Sequence, residues 1–401
     1  MRKVRLAIAG AGNRGQTYAS WIAAHPDRAE LVAVADPDPA RRAKLGAPRE
    51  FADWRDLLGE RVADAVILCT QDRMHAEPAI ALAGAGYAML LEKPLAPTEE
   101  ECRAIVAAVE RAGVLFGVCH VLRYTPYTAL VKEMAGLVGE IMSVEHLEPV
   151  GWWHQAHSYV RGAWRNERLA SPMLLAKSCH DLDWLAYVTD RRVTRVSSFG
   201  SLGHFRPERR PEGAADRCLD CAIEPECPYS APKLYFDRTG WPTSVLGDTR
   251  EQVVEALRTG PYGRCVYACD NDVVDHQVLA MELAGGATAT FTMTAFTEQT
   301  HRQTKIFGTH GQLVGDGERV EVYSFRDRST TTRHVDELGS NAGDGHGGGD
   351  AGLMDAFVTA LATGDPSHVR SDAGESLHSH LAVFAAERAR HSGTVQAVPA
   401  S

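Results

Sequence analysis

The sequence predicts an α/β protein in two parts: a doubly wound parallel sheet over residues 1–122, and a second α/β domain over 123–401 with a cysteine-rich insertion around 204–270. Three observations predict it. Apolar runs alternate with helical stretches from Val4 to His120, a glycine-rich turn closes the first run, and strand-like runs punctuated by glycine pairs resume after Asp270. Strands that are apolar throughout and separated by helices read as a parallel sheet covered on both faces.

In order, strands are expected at Val4–Ala9, Leu31–Ala35, Ala65–Thr70, Ala88–Leu91 and Val114–Val118. Between them lie helices near Gly15–Ala24, Ala40–Lys44, His75–Ala85 and Glu99–Ala112, the last opened by Thr98-Glu99-Glu100-Glu101 with capping-box spacing. A helix then runs from Arg123-Tyr124-Thr125-Pro126 to about Val138, followed by a strand near Met142–Glu148. Ser171-Pro172 is a helix start, and Met173 to Val188 reads as that helix. Val278–Glu282 and Ala287–Thr294 flank Gly285-Gly286, a hairpin signal. Lys305–Gly308, Gly311–Gly315, Arg319–Phe325 and Thr331–His334 continue the sheet, and helices near Leu353–Thr363 and Ala373–Ser392 close the chain.

Composition narrows the function. At 401 residues, 44% hydrophobic and 23% charged, the chain is neither disordered, fibrous nor a coiled coil. A net charge of −10 offers no global field for nucleic acid or an anionic membrane surface. No apolar run approaches the roughly 20 residues that span a bilayer. The basic start and the run Val4–Ala9 resemble a signal peptide, but the run is short and enters a glycine turn, so it reads as a strand. Nine cysteines, several in segments that read as buried, fit a cytoplasmic protein with reduced thiols.

Gly10-Ala11-Gly12-Asn13-Arg14-Gly15 is a GxGxxG that follows a strand and opens a helix, the context a dinucleotide site demands. Gly10 permits the tight turn, Gly12 lets the backbone approach a pyrophosphate, and Gly15 allows close helix packing. The free N–H groups at the helix start bind the phosphate charge. Asp36 ends the second strand, where a carboxylate accepts from the ribose hydroxyls and repels a 2′-phosphate, so NAD is favoured over NADP. Arg41 and Arg42 follow closely and soften that preference.

Three further stretches carry a resemblance: Thr70-Gln71-Asp72-Arg73-Met74-His75, Leu91-Glu92-Lys93-Pro94 and Cys179-His180-Asp181-Leu182-Asp183. With the GxGxxG, they make the chain resemble the glucose-fructose oxidoreductase / inositol dehydrogenase (Gfo/Idh/MocA) family. The resemblance implies a dinucleotide domain, a C-terminal domain with an open, largely antiparallel sheet, nicotinamide in the cleft between them, and sheet faces that build homodimers or homotetramers. Lys93 would sit beside nicotinamide and substrate, and His180 would do acid/base work. The cofactor set is then Gly10, Gly12, Asn13, Arg14, Gly15, Asp36, Thr70, Gln71, His75, Glu92 and Lys93. Two departures stand out: Asp72 replaces the asparagine of TPNxxH, and Ala176 replaces an aspartate four residues before the histidine, with Lys177 beside it. Lys177, His180, Asp181 and Trp184 share one helix face, which makes Lys177 a third catalytic candidate. Which of Lys93 and His180 takes the proton stays open.

Three of seven tryptophans fall in 152–164, among His154, His157, Arg161 and Arg165. They either stack on a sugar ring or pin a loop to the core. Tyr124, His157, Arg161 and Asp181 are the expected substrate contacts. Cys218, Cys221 and Cys227 have C-x2-C-x5-C spacing in a segment with no periodicity, which calls for a staple; with Cys265 they suit a structural zinc, with an iron–sulfur cluster, a disulfide or free thiols as alternatives. Asn341 to Gly352 is either a flexible linker or a loop packed against the cleft, with His346 a contact.

The leading expectation is an NAD-dependent dehydrogenase of a sugar, cyclitol or glycoside that binds neither nucleic acid nor membrane. An NAD-dependent glycosidase working by oxidation, elimination and re-reduction is the alternative, and a redox-responsive binding protein the third.

Overall fold

The computed structural model describes residues 2–238, 240–298, 301–338 and 347–401. Its first sheet holds β1 (Val4–Ala9), β2 (Ala29–Ala35), β3 (Arg49–Phe51), β4 (Ala65–Leu68), β5 (Ala88–Leu91) and β6 (Phe116–Val118). The order is β3-β2-β1-β4-β5-β6 and every pair is parallel. β1, β4, β5 and β6 are buried along nearly their whole length, as apolar runs covered on both faces must be. β3 was not among the expected strands, because a three-residue edge with two exposed positions leaves no apolar run. Helices α1 (Asn13–Ala24), α2 (Pro39–Leu45), α3 (Ala76–Gly84) and α4 (Glu99–Ala112) connect these strands.

Thr98 caps α4 by accepting from Glu101 N–H at 3.2 Å, but the Glu101 carboxylate accepts from the Thr98 hydroxyl instead of closing the box on the backbone. After α5 (Pro126–Ala135) the chain enters a mixed sheet whose centre is the parallel pair β7 (Ile141–Pro149) and β10 (Thr288–Thr294). Around it the order is β14-β13-β12-β11-β7-β10-β9-β8-β15, with every other pair antiparallel. These strands are β8 (Val193–Ser201), β9 (His276–Leu283), β11 (Gln303–Gly308), β12 (Gly311–Gly315), β13 (Arg319–Ser324), β14 (Thr330–His334) and β15 (Gln396–Ala397). Gly285 and Gly286, at φ 84° and 89°, make the β9–β10 turn, a backbone that only glycine adopts cheaply at both positions.

Between these strands lie α6 (Trp152–His154), α7 (Met173–Thr189), α8 (Ala231–Phe236) and α9 (Arg250–Thr259), and after them come α10 (Gly349–Thr363) and α11 (Ala373–Ser392). α7 is buried on nearly all sides because it packs both the second sheet and α11. The last two helices return to the first domain. Leu353, Met354 and Phe357 of α10 complete the core around Leu6 and Ile8, while Leu377 and Leu381 of α11 pack with Ile105 of α4.

The insertion corrects an expectation. It is not a loop in need of a staple: Phe205, Leu234, Tyr235, Val253, Leu257 and Val266 form an apolar core of their own with Trp153 and Val160. Among the described residues no helix is long and apolar enough to cross a membrane.

Candidate active site

The GxGxxG turn is built as its spacing requires. Gly10 has φ 98°, and a Cβ there would lie 2.5 Å from the Cys69 carbonyl oxygen. At Gly15 a Cβ would lie 2.2 Å from the Gly10 carbonyl oxygen, so the helix start seats on the turn only without a side chain. Gly12 is the opposite case: a Cβ there meets nothing within 4 Å. The open face above Gly12, with no side chain capping the start of α1, fits a dinucleotide pyrophosphate. Gly12→Val should therefore fold with unchanged thermal stability yet lose NADH affinity by at least about tenfold, because a branched side chain fills space that only the phosphates use. Differential scanning fluorimetry and NADH fluorescence titration check the two halves separately.

The remaining expected cofactor residues divide. Asp36 is buried at the end of β2 and accepts from Ala11 N–H at 2.7 Å and Asp38 N–H at 2.9 Å, which fixes its carboxylate against the glycine turn. Asn13 is exposed at the start of α1. Arg14 is engaged inside the protein: its guanidinium pairs with Glu92 at 2.6 Å and with Asp350 of α10, and donates to the Tyr18 hydroxyl. Glu92 also accepts from Tyr18 at 2.6 Å, so both residues lock α1 to β5 and α10. His75 is fully buried, with its ring nitrogens 2.7 Å from the Pro94 carbonyl and 3.0 Å from the Thr70 carbonyl. It pins the loop after β4 to the turn that carries Lys93. Thr70 donates to the Met74 carbonyl and Gln71 starts the same turn, exposed. Asp72 explains its departure from the family pattern: it accepts from Trp164 Nε1–H at 3.3 Å and from the Ser171 hydroxyl, and so ties this loop to the second domain.

Lys93 crosses between the domains. Its Nζ donates to the Ala176 carbonyl of α7 at 2.5 Å, one helical turn before His180. His180 is 5% exposed on the same helix, and its ring stands 5.8 Å from that of His120. The two halves of the chain thus bring an ammonium and an imidazole to one place.

Lys177 does not join them freely. Its ammonium pairs with Glu148 at the end of β7, 2.9 Å away; Arg302 holds the other Glu148 oxygen at 2.9 Å and Asp181 at 2.5 Å. Asp181, fully buried, also faces His146 Nε2 at 3.2 Å, and the Arg302 guanidinium holds its carboxyl below the usual range against the cost of burial. Lys177, Glu148, Arg302, Asp181 and His146 form a charge-balanced ladder. Glu148 and Arg302 were not among the expected site residues. Glu148 ended an expected strand, but Arg302 has no motif and comes beside it only because β11 pairs with β7.

The other expected substrate contacts, Tyr124, His157 and Arg161, lie in packed surroundings with partners inside the protein. Tyr124 is buried, with its hydroxyl accepting from Arg370 N–H at 2.7 Å and bonded to Ser371. His157 bonds the Tyr235 hydroxyl and stacks on Tyr262, and burial pushes its imidazole down to about 4. Arg161 is fully buried in the insertion, donating to the carbonyls of Arg264 and Tyr229, each at 2.8 Å. These three hold the insertion and the C-terminal helices in place. Of the tryptophans, Trp153 is buried in the insertion core and Trp164 reaches Asp72, so both pin the segment. His346 lies outside the described residues.

The structure gives the zinc expectation no support. Cys218, Cys221, Cys227 and Cys265 line one small cavity with Arg161, but among the described residues no group of three or more His, Cys, Asp or Glu is disposed to hold a metal ion. Cys218 Sγ accepts from Arg161 at 3.5 Å and Cys221 Sγ from Ala215 N–H at 3.4 Å. Burial pushes the Cys227 and Cys265 thiols up, and all nine cysteines are free.

Comparison with known proteins agrees with this architecture. Residues 4–120 match the oxidoreductase family's NAD-binding Rossmann fold, and residues 134–395 match its C-terminal alpha/beta domain. The chain is 28% identical over 243 residues to levoglucosan dehydrogenase of Pseudarthrobacter phenanthrenivorans, covering 54% of this chain and 62% of that protein. It is 27% identical over 274 residues to the NAD(+)-dependent scyllo-inositol 2-dehydrogenase of Bacillus subtilis, covering 66% and 70%. The structure of levoglucosan dehydrogenase with NADH and levoglucosan superposes with a TM-score of 0.74 at 20% identity, over 99% of this chain and 100% of that one. With both domains matched in sequence order, the chain belongs to the Gfo/Idh/MocA oxidoreductase family, whose first domain is an NAD-binding Rossmann fold.

Proposed function

We propose that the protein transfers hydride between a secondary hydroxyl of a sugar or cyclitol and NAD, with Lys93 and His180 as the acid/base and hydroxyl-orienting pair. The observation that carries this reading is the span of Lys93 across the domain boundary to the turn of α7 that presents His180. Bound NAD supplies the hydride acceptor. The chain's own residues hold the hydroxyl and accept its proton. An ammonium fixed at 2.5 Å from a main-chain carbonyl keeps its remaining N–H bonds for substrate oxygens, and an imidazole beside it is the group suited to proton exchange near neutrality. Asp36 at the end of β2 favours NAD over NADP by repelling a 2′-phosphate.

The ladder of Lys177, Glu148, Arg302 and Asp181 places polar groups beside α7 without adding net charge, which suits a neutral polyol. The glycosidase alternative is not favoured: the relatives compared above are named as dehydrogenases. Self-association belongs to the proposal as well. The outer face of the second sheet exposes Phe199 and Val278, which are paired across β8 and β9, and offers a surface for a second copy of the chain.

The test is to mix the protein with NAD and a panel of free sugars, cyclitols and aryl glycosides, following absorbance at 340 nm and aglycone release together. NADH accumulating with a free polyol is the expected result. Aglycone release without NADH would move the assignment to the redox-assisted glycosidase.

A further inference from the structure

His120 lies just beyond β6, where the first domain ends. Its ring is fully buried, yet neither Nδ1 nor Nε2 has a hydrogen-bond partner. A neutral imidazole carries one donor and one acceptor, and a buried polar group left unmet calls for an explanation in an ordered water or a chemical role. The surroundings point to both together. The ring stands edge-on to His180 at 5.8 Å and to His380 at 5.7 Å between centroids. His380 cannot satisfy it: its Nδ1 donates to the Ser376 carbonyl at 2.6 Å and its Nε2 accepts from Leu95 N–H at 2.9 Å. On the far side, His120 Nε2 lies 3.7 Å from Asp183 Oδ1.

We propose that His120 is a positioning residue that acts through His180, with one ordered water bridging the two rings. This rests on the reading that His180 receives the substrate proton. The water fixes which nitrogen of His180 faces the hydroxyl. As the C–H hydride leaves for NAD with both bonding electrons, the hydroxyl proton passes to His180. A proton from the other ring nitrogen of His180 passes through the water to the unprotonated nitrogen of His120. The resulting imidazolium faces the Asp183 carboxylate, and no further oxidant or reductant is consumed. The groups that face His120 set its readiness to hold that proton: Lys93 and Arg123 oppose the charge, while Glu92 and Asp183 favour it. Burial keeps the ring neutral until the proton arrives.

Two variants and one structure test the proposal. His120→Gln keeps a hydrogen-bonding side chain without a titrating one, and His120→Phe keeps a ring without nitrogen. With the polyol identified by the panel, both should bind NADH as the wild type does and leave KM nearly unchanged, while kcat falls at least about tenfold. In H2O–D2O mixtures the wild-type kcat should bow downward, as two protons in flight require, and the His120→Gln plot should be straight. If His120→Phe fails to fold, His120→Gln carries the test alone. A high-resolution crystal structure should show the water between the His120 and His180 rings. Wild-type kcat and an unchanged D2O profile in His120→Gln, or a direct contact with no water between the rings, would overturn this proposal and leave the proposed function standing. No turnover by the wild type on any polyol would instead remove the proposed function, and this proposal with it.

Discussion

Replacing Lys93 by methionine is expected to lower kcat by about a thousandfold, within the range that a positioned acid/base group contributes, while NADH binding stays intact. The carboxylates around Lys93 are committed elsewhere: Glu92 to Arg14 and Tyr18, Glu148 to Lys177 and Arg302, and Asp183 to Arg123. Among the described residues the Lys93 ammonium makes no ion pair within 4 Å and donates to the Ala176 carbonyl, while the Lys93 backbone N–H donates to Glu92 at 3.1 Å. Under the proposed function its ammonium is the charge that a substrate oxygen would meet. Methionine keeps the length and packing of the stem and removes the charge, so a loss in kcat at unchanged NADH affinity locates the defect in chemistry. Steady-state kinetics on the preferred polyol and NADH fluorescence titration provide the two readings. A variant that retains wild-type kcat would take Lys93 out of the reaction.

The second large effect is structural. Arg123→Ala should destabilise the fold by about 3–5 kcal/mol, the cost of leaving a buried carboxylate without its partner. Arg123 Nε and Nη2 donate to the two Asp183 oxygens at 2.7 and 2.8 Å, and the side chains are 3% and 1% exposed. Burial already pushes the Asp183 carboxyl up, and the guanidinium is what offsets it. The same arginine donates to the Arg370 carbonyl, so it also anchors the segment that leads into α11. Arg123→Met combined with Asp183→Leu should recover most of the loss, because an apolar pair of similar volume leaves no charge stranded. Urea unfolding of the three proteins measures it. A single variant as stable as the wild type would contradict the pairing.

The first sheet was legible because its signal is local. Val4–Ala9 and Ala88–Leu91 are uniformly apolar runs between turn residues, and both appear with the expected bounds. α11, at Ala373–Ser392, was bounded as closely by its Asp372 cap and terminal Gly393. What the sequence withheld depends on contacts between distant segments. α10 and α11 read as ordinary closing helices, and nothing in their pattern says that Leu353 packs near β1 or Leu377 on α4. The GxGxxG glycines were readable from spacing, whereas Arg14 within the motif turned inward because its partner Asp350 is supplied 336 residues later. The cysteine spacing suggested a metal because the aromatic core that orders the insertion has no period to detect. The partners of Arg161 and His157 were hidden for the same reason: Arg264 and Tyr235 lie far along the chain and no local pattern points to them. Glu148 and Arg302 meet across β7 and β11, a pairing fixed by sheet register alone.

The proposed function requires direct hydride transfer from a substrate carbon to the nicotinamide in the cleft that Lys93 and His180 would share. The measurement that tests it most directly uses the polyol identified by the panel, deuterated at its carbinol carbons, with unlabelled NAD and the wild-type protein. Deuterium in one stereochemical position at C4 of the NADH produced is the predicted result. NADH formed without deuterium, or deuterated polyol consumed without NADH, would contradict it.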